Sequence, residues 1–206
     1  MAEAPRGRFI TLEGGEAAGK TTQLALLVAH LRAQGREVLA TREPGGTKGA
    51  EALRGLLLDP AAQWAPLAEI FLHCAARADH VARVIAPALA AGTWVVCDRF
   101  TDSTVAYQGY GQGADLAAID GATRLIGLVP DRTLVLDVGP QTARLRLAGR
   151  GGGLDRYERL GGDFFARVRA GFAAIAKAEP ERCRLLSGEG EADVVAARLR
   201  DAVADL

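Results

Sequence analysis

Gly14-Gly15-Glu16-Ala17-Ala18-Gly19-Lys20-Thr21 fits the G-x-x-x-x-G-K-[ST] phosphate loop with no mismatch. The apolar, β-prone stretch Arg8-Phe9-Ile10-Thr11-Leu12-Glu13 precedes it, and Thr22-Gln23-Leu24-Ala25-Leu26-Leu27-Val28 follows and reads as a helix. Strand, glycine loop and helix are the setting this motif needs. Glycines let the backbone turn and come close to an anion, with successive N–H groups aimed inward. The helix dipole adds partial positive charge at the same point. The reading is a nucleoside triphosphate site at 14–22, built from Gly14, Gly15, Glu16, Ala17, Ala18, Gly19, Lys20, Thr21 and Thr22. Lys20 reaches the β- and γ-phosphates, and Thr21 ligates Mg²⁺.

Outward from the loop, short apolar strands alternate with helical patterns. Strands are expected at 8–13, 37–41, 93–98, 132–137 and 182–186, the last of them weak and at an edge. Helices are expected at 19–34, 48–58, 66–91, 115–127, 140–148, 161–178 and 190–204. The alternation predicts an α/β fold, a five-stranded parallel sheet with helices on both faces, and ligands beyond the carboxyl ends of the strands. At 206 residues the chain reads as a single domain, 1–206, with a lid at about 144–160. Gly149-Arg150-Gly151-Gly152-Gly153-Leu154 holds four glycines in six residues and reads as the hinge of that lid. Arg144, Arg146, Arg150 and Arg156 surround it, suited to bidentate contact with phosphates.

Composition narrows the partners. With 25 basic and 25 acidic residues the net charge is zero, which argues against nucleic acid. No apolar run reaches the ~18 residues of a membrane span, so no membrane is expected. Cys74, Cys97 and Cys183 are far apart and form no C-x-x-C pair; they read as core thiols in a reducing, cytoplasmic setting.

Other constellations cluster at strand ends. Thr41-Arg42-Glu43-Pro44-Gly45-Gly46-Thr47 makes a sharp turn after the second strand, and Arg54 follows on the next helix. Arg42 and Glu43 then sit at the ligand edge, although a solvated pair reads the same way. Helix 66–91 carries a core stripe of Leu67, Ile70, Phe71, Cys74, Ala78, Val81, Ile85 and Leu89. His73, Arg77 and His80 share a flank beside it. They can line a pocket, but the sequence alone favours a solvated edge. The third strand ends in Asp98-Arg99, a charged pair where ligands bind. Thr101, Asp102 and Ser103 are helix N-cap candidates, and Thr104 and Gln108 share one face with Tyr107 adjacent. Asp137 acts near Mg²⁺ or, as we favour, plays a structural role as the cap of the following helix.

The phosphate loop carries an acid, Glu16, and no extra arginine, so transition-state charge has to be met by other arginines, Arg150 and Arg156 above all. No general base stands out on the acceptor side. A nucleoside monophosphate acceptor, already anionic, needs none.

These segments together resemble the bacterial thymidylate kinase family. The resemblance is carried by Phe9 to Thr22, Thr41-Arg42-Glu43-Pro44-Gly45-Gly46-Thr47, Ala75-Ala76-Arg77, Asp98-Arg99, Ala106-Tyr107-Gln108-Gly109 and Leu154-Asp155-Arg156. It implies a phosphate-loop kinase fold and Mg²⁺-dependent transfer of the ATP γ-phosphate to dTMP. It implies a dTMP site of Arg42, Glu43, Pro44, Arg54, His73, Arg77, Arg99, Thr104 and Gln108. The dTMP phosphate lies on Arg42, Arg54 and Arg99, and the thymine edge on Arg77, Thr104 and Gln108. Lys20, Arg99, Arg150, Arg156 and Glu16 are the implied catalytic set, Thr21 and Asp98 the implied metal ligands, and a homodimer the implied assembly. Two positions depart from the family pattern. His73 stands where relatives place a stacking Phe, with a charge expected to vary with pH, and Phe100 stands where they often have Tyr or His. The competing readings are a kinase for another nucleoside monophosphate, a GTP switch (for which no N-K-x-D sequence is present) and an ATPase motor.

Overall fold

The computed structural model describes residues 6–150 and 156–206, with the side chains of Arg150 and Glu158 outside that description. Residues 151–154 of the expected hinge 149–154, the Leu154-Asp155 part of the family motif, and the catalytic role expected of Arg150 therefore lie outside the described residues.

Five strands form one parallel sheet: β1 (Phe9–Gly14), β2 (Val38–Arg42), β3 (Trp94–Asp98), β4 (Arg132–Asp137) and β5 (Cys183–Ser187). Their order is β2-β3-β1-β4-β5, so the glycine loop leaves the central strand and β5 lies at an edge, as its weak pattern predicts. Alternate residues point to opposite faces, and the core follows that rule. Ile10, Leu12, Val96, Leu134 and Leu136 pack on one side with Leu27, Val28 and Leu31 of α1 (Lys20–Ala33) and with Val195 and Leu199 of α9 (Ala192–Asp201). Phe9, Val95 and Cys97 face the other side. There Val135 meets Tyr107 and the Phe164, Val168 and Phe172 stripe of α8 (Gly162–Ala178). Each large apolar side chain so buried contributes about 2 kcal/mol.

Helix α2 covers Lys48–Leu58 and α3 covers Pro66–His80. The expected single helix over 66–91 is divided. A π-helical stretch, Val81–Ile85, joins α3 to α4 (Ala86–Ala90). Pro87 has no N–H to give the Arg83 carbonyl, and the wider turn accommodates that loss. A second π-helical stretch, Val105–Gly111, continues α5 (Thr101–Thr104). Helices α6 (Leu116–Arg124) and α7 (Pro140–Arg150) and a 3₁₀ turn at Glu158–Leu160 complete the set among the described residues.

The stripe expected over 66–91 holds in part: Ile70, Val81, Ile85 and Leu89 are buried, but the rest of it is not. Leu67 is 50% and Phe71 56% exposed, Ala78 is exposed and Cys74 half-buried. Arg77 and His80, expected on a solvated edge, are buried, as is Glu69. The polar flank of α3 is its inner face because it closes over the sheet's ligand edge. Two capping expectations also fail. Phe100, not Thr101, Asp102 or Ser103, is the N-cap of α5. Asp102 instead takes both Arg182 nitrogens at 2.6 and 2.9 Å and accepts from Thr133 Oγ1 at 3.2 Å. Asp137 pairs with Arg169 at 2.6 Å instead of capping α7, where Glu189 satisfies the Gly139 N–H at 2.6 Å.

The Asp102–Arg182 pair ties the start of α5 to the edge of the sheet and is largely buried. Asp102→Ala leaves that arginine without its main partner, and we expect a loss of about 3 kcal/mol. Urea unfolding measures it; a loss below 1 kcal/mol would show that the pair is solvated.

Candidate active site

One cavity of about 580 Å³ opens beyond the carboxyl ends of β1, β2 and β3. The phosphate loop forms one wall. Gly14 sits there at φ +138, where an added Cβ would meet the Leu136 carbonyl oxygen at 2.4 Å. Only glycine lets the loop leave β1 that closely against β4. Helix α1 begins after Gly19 with no side-chain cap and no acid in its first turn, so its N–H groups and dipole remain for an anion. Lys20 is buried and donates to the loop's own carbonyls, Gly14 O at 3.1 Å and Gly15 O at 2.9 Å. Burial, followed by the Arg99 charge, lowers its affinity for a proton, against the pull of Glu16, Asp98 and Glu13.

Arg99 follows β3 at a positive φ of 69, an uncommon conformation for a residue with a side chain. Its guanidinium reaches Gly14 O at 3.1 Å and Ser103 Oγ at 3.1 Å through Nη1, and Glu16 Oε1 at 2.6 Å and Tyr107 OH at 3.0 Å through Nη2. It also lies over the Tyr107 ring, 4.8 Å from the centroid. Tyr107 donates to the same Glu16 oxygen at 2.8 Å. Glu16 of the phosphate loop is thus joined to the acceptor side of the cavity. Beneath, Glu13 accepts from Phe100 N at 2.7 Å and Ser103 Oγ at 2.5 Å.

At the far end Arg77 forms the floor. It donates to Glu43 Oε2 at 2.6 Å, Phe100 O at 2.9 Å and Thr104 Oγ1 at 3.1 Å. Its remaining nitrogen, Nη1, is buried with no partner. Gln108 donates to Glu69 Oε1 at 2.8 Å and Tyr157 OH at 3.2 Å. His73 Nε2 lies 3.0 Å from the same Tyr157 hydroxyl. Burial, then the Arg77 charge, pushes the His73 pKa down to about 3, so the expected pH-dependent charge is absent near neutrality. Phe100 is fully buried, edge-on to Phe9 at 4.9 Å, an apolar niche in which a hydroxyl or imidazole would need a partner.

Most expected residues therefore meet in one cavity: Glu16 to Thr22, Arg42, Glu43, Pro44, Arg54, His73, Arg77, Asp98, Arg99, Thr104 and Gln108 all line it. Arg42 is turned toward Glu51, at 3.0 Å, and Arg54 donates to Pro44 O at 2.9 Å. Arg156 is not among the lining residues; it binds Glu69 Oε2 at 2.5 Å and stacks on Tyr157. Sequence reasoning passed over six lining residues as site members: Leu58, Phe100, Ser103, Tyr107, Tyr157 and Arg146. Arg146 donates to Ala17 O at 3.3 Å and Gly188 O at 3.0 Å, holding α7 to the phosphate loop. Its place among the lid arginines was the available signal. Tyr157 had none, because its role depends on contact with Glu69 of α3.

Burial, reinforced by Asp102, raises the Glu13 pKa from 4.5 to about 8. The folded value lies above the unfolded one, so this group stabilises the fold fully below about 4.5, and that contribution is lost as pH rises through about 8. Glu13→Gln keeps the shape and cannot ionise. We expect it to flatten the decline in melting temperature across that window; an unchanged slope would show that Glu13 does not titrate there.

The family model described as thymidylate kinase matches residues 12–198. A thymidylate kinase of Gluconobacter oxydans is 52% identical over 204 residues, covering 97% of this chain and 95% of that protein. One from a Synechococcus strain is 54% identical over 195 residues, covering 93% and 91%. The crystal structure of thymidylate kinase from Ehrlichia chaffeensis is similar with a TM-score of 0.77 at 35% identity, covering 96% of this chain and 98% of that one. With a family model spanning residues 12–198 and relatives of this identity over nearly its whole length, the chain belongs to the thymidylate kinase family.

Proposed function

We propose that the chain transfers the γ-phosphoryl group of ATP to dTMP, giving dTDP and ADP for dTTP synthesis. The observation that carries the reading is the unpartnered Nη1 of Arg77 in the cavity that also holds the phosphate loop. A buried donor without a partner is costly, and the O4 carbonyl of thymine supplies the missing acceptor. Cytosine presents an amino group at that position and leaves the cost in place, which disfavours the reading as a kinase for dCMP.

In this reading ATP lies on residues 14–22 and dTMP on Arg42, Glu43, Pro44, Arg54, His73, Arg77, Arg99, Thr104 and Gln108. Lys20 exchanges its loop carbonyls for the β- and γ-phosphates. Arg99, already anchored by Glu16 and Tyr107, stands where donor and acceptor phosphates converge and screens both. The acceptor phosphate is an anion near neutral pH and needs no base, so catalysis is alignment and charge stabilisation. Arg150 and Arg156 are the lid's contribution, and Arg156 reaches a phosphate by leaving Glu69. Mg²⁺ fits the donor set: Asp98 Oδ1 is buried without a partner and Thr21 lines the same wall. Held by these two residues, the cation would neutralise charge on the β- and γ-phosphates.

The assembly is a homodimer in a cytoplasmic setting. Leu56 of α2, Leu67 and Phe71 of α3 and Leu116 of α6 are each 45% exposed or more, on helices packed against one another. Such a face suits a second copy. Among the described residues no helix is long and apolar enough to cross a membrane.

ADP release with ATP and Mg²⁺ tests the activity, comparing dTMP with dUMP, dCMP, dGMP, AMP and no acceptor. We expect strong preference for dTMP and a loss of kcat of at least about 100-fold in Lys20→Ala; acceptor-independent release would refute the kinase reading. Phe71→Glu is expected to give monomers in sedimentation velocity, and an unchanged mass would place the dimer contact elsewhere.

A further inference from the structure

We infer that His80, acting through Glu43, is a positioning residue that fixes the guanidinium of Arg77 and so sets discrimination at position 4 of the pyrimidine. The inference rests on the reading of Arg77 as the base-facing donor. His80 is the last residue of α3, fully buried, and lies outside the cavity lining. It stands one turn beyond Arg77 on the same side of the helix. Its ring nitrogens are engaged from the end of β2 and the turn after it: Nδ1 lies 3.0 Å from Glu43 Oε1 and Nε2 lies 2.8 Å from Thr41 Oγ1. An ionised carboxylate only accepts, so Nδ1 carries the proton in that contact. Gly46, at φ +86, lets the turn lie against the ring; an added Cβ there would come within 2.4 Å of His80 Nε2.

Glu43 divides its two oxygens between two partners. Oε1 meets His80, and Oε2 takes Arg77 Nε at 2.6 Å. The Glu43 side chain is 2% exposed and that of Arg77 3%, so water does not substitute for either contact. With Phe100 O and Thr104 Oγ1 holding Nη2, the in-plane position of the guanidinium is fixed from two elements. Nη1 alone is left for the ligand. Without His80, Glu43 loses the bond that holds its second oxygen and is free to rotate. Arg77 then follows it, and the donor to O4 moves.

The test measures kcat and KM of the full-length protein with ATP for dTMP, dUMP and dCMP. dTMP and dUMP share the carbonyl at position 4; dCMP has an amino group there. His80→Phe preserves size and removes both nitrogens. His80→Gln places an amide near Nε2 and lacks the Nδ1 donor. His80→Asn places an amide nitrogen near Nδ1. We expect Phe and Gln to lower kcat/KM for dTMP and dUMP by roughly tenfold, mainly through KM, with dCMP unchanged, and Asn to recover most of it. His80→Gln keeps the test available where His80→Phe fails to fold. An equal fall for all three acceptors, or an unchanged dTMP-to-dCMP ratio, would overturn the inference and leave His80 as a link between β2 and α3. Arg77→Met in the same assay separates the two readings. If it retains the ratio, the reading of Arg77 fails. If it loses the ratio while the His80 variants keep it, the role of His80 alone fails.

Discussion

The guanidinium of Arg99 joins the two halves of the site, and the geometry around it depends on that junction. It binds the loop carbonyl of Gly14, the loop acid Glu16, and Ser103 and Tyr107 from the acceptor side. Burial opposes its charge, and the nearby Tyr107, Glu16, Asp98 and Glu13 more than offset the opposition. A partly buried ion pair is seldom a net source of stability. This one makes sense as preorganisation: a charge fixed before the phosphates arrive needs little reorganisation when negative charge shifts between them. The positive φ of Arg99 is the local strain that such fixing requires, and the Glu13 clamp on Phe100 and Ser103 holds the segment against it.

The same logic runs through the far end of the cavity. Arg77, Glu43 and His80 form a buried polar chain in which almost every donor and acceptor is matched. Such chains are high-stakes: fully satisfied they specify one geometry, and one missing partner costs the desolvation of the other. The unmatched atom, Arg77 Nη1, is therefore informative. A stability-driven core would have paired it or replaced it. A binding site leaves it for the ligand.

Much of this was legible in the sequence for a physical reason. Buried parallel strands read as apolar runs, glycine loops have fixed spacing, and charged residues at strand ends mark the ligand edge. Those signals gave the strands, the loop, Asp98-Arg99 and the turn at 41–47. What failed was inference from one element in isolation. Leu67 and Phe71 were assigned to the core by helical period alone, yet they face outward. Asp102 looked like a cap because caps are local, whereas its partner Arg182 is 80 positions away. Tyr157 gave no signal at all, because its partner Glu69 lies on another helix. Long-range polar pairing leaves no periodicity to read.

The polar inner face of α3 connects these failures to function. A helix has one face to give to its own core, and here that face holds Glu69, Arg77 and His80, matched by residues of the turn after β2, of the segment 100–112 and of the segment after residue 155. Ile70 stays inside, but Leu67 and Phe71 are displaced to the outside, where water covering them is unfavourable. The proposed second copy resolves that cost. It would also press on the outer side of the helix whose inner side holds Arg77, so assembly and base selection share one rigid element. A change at Phe71 then reaches the cavity through the position of α3, without touching any residue that lines it.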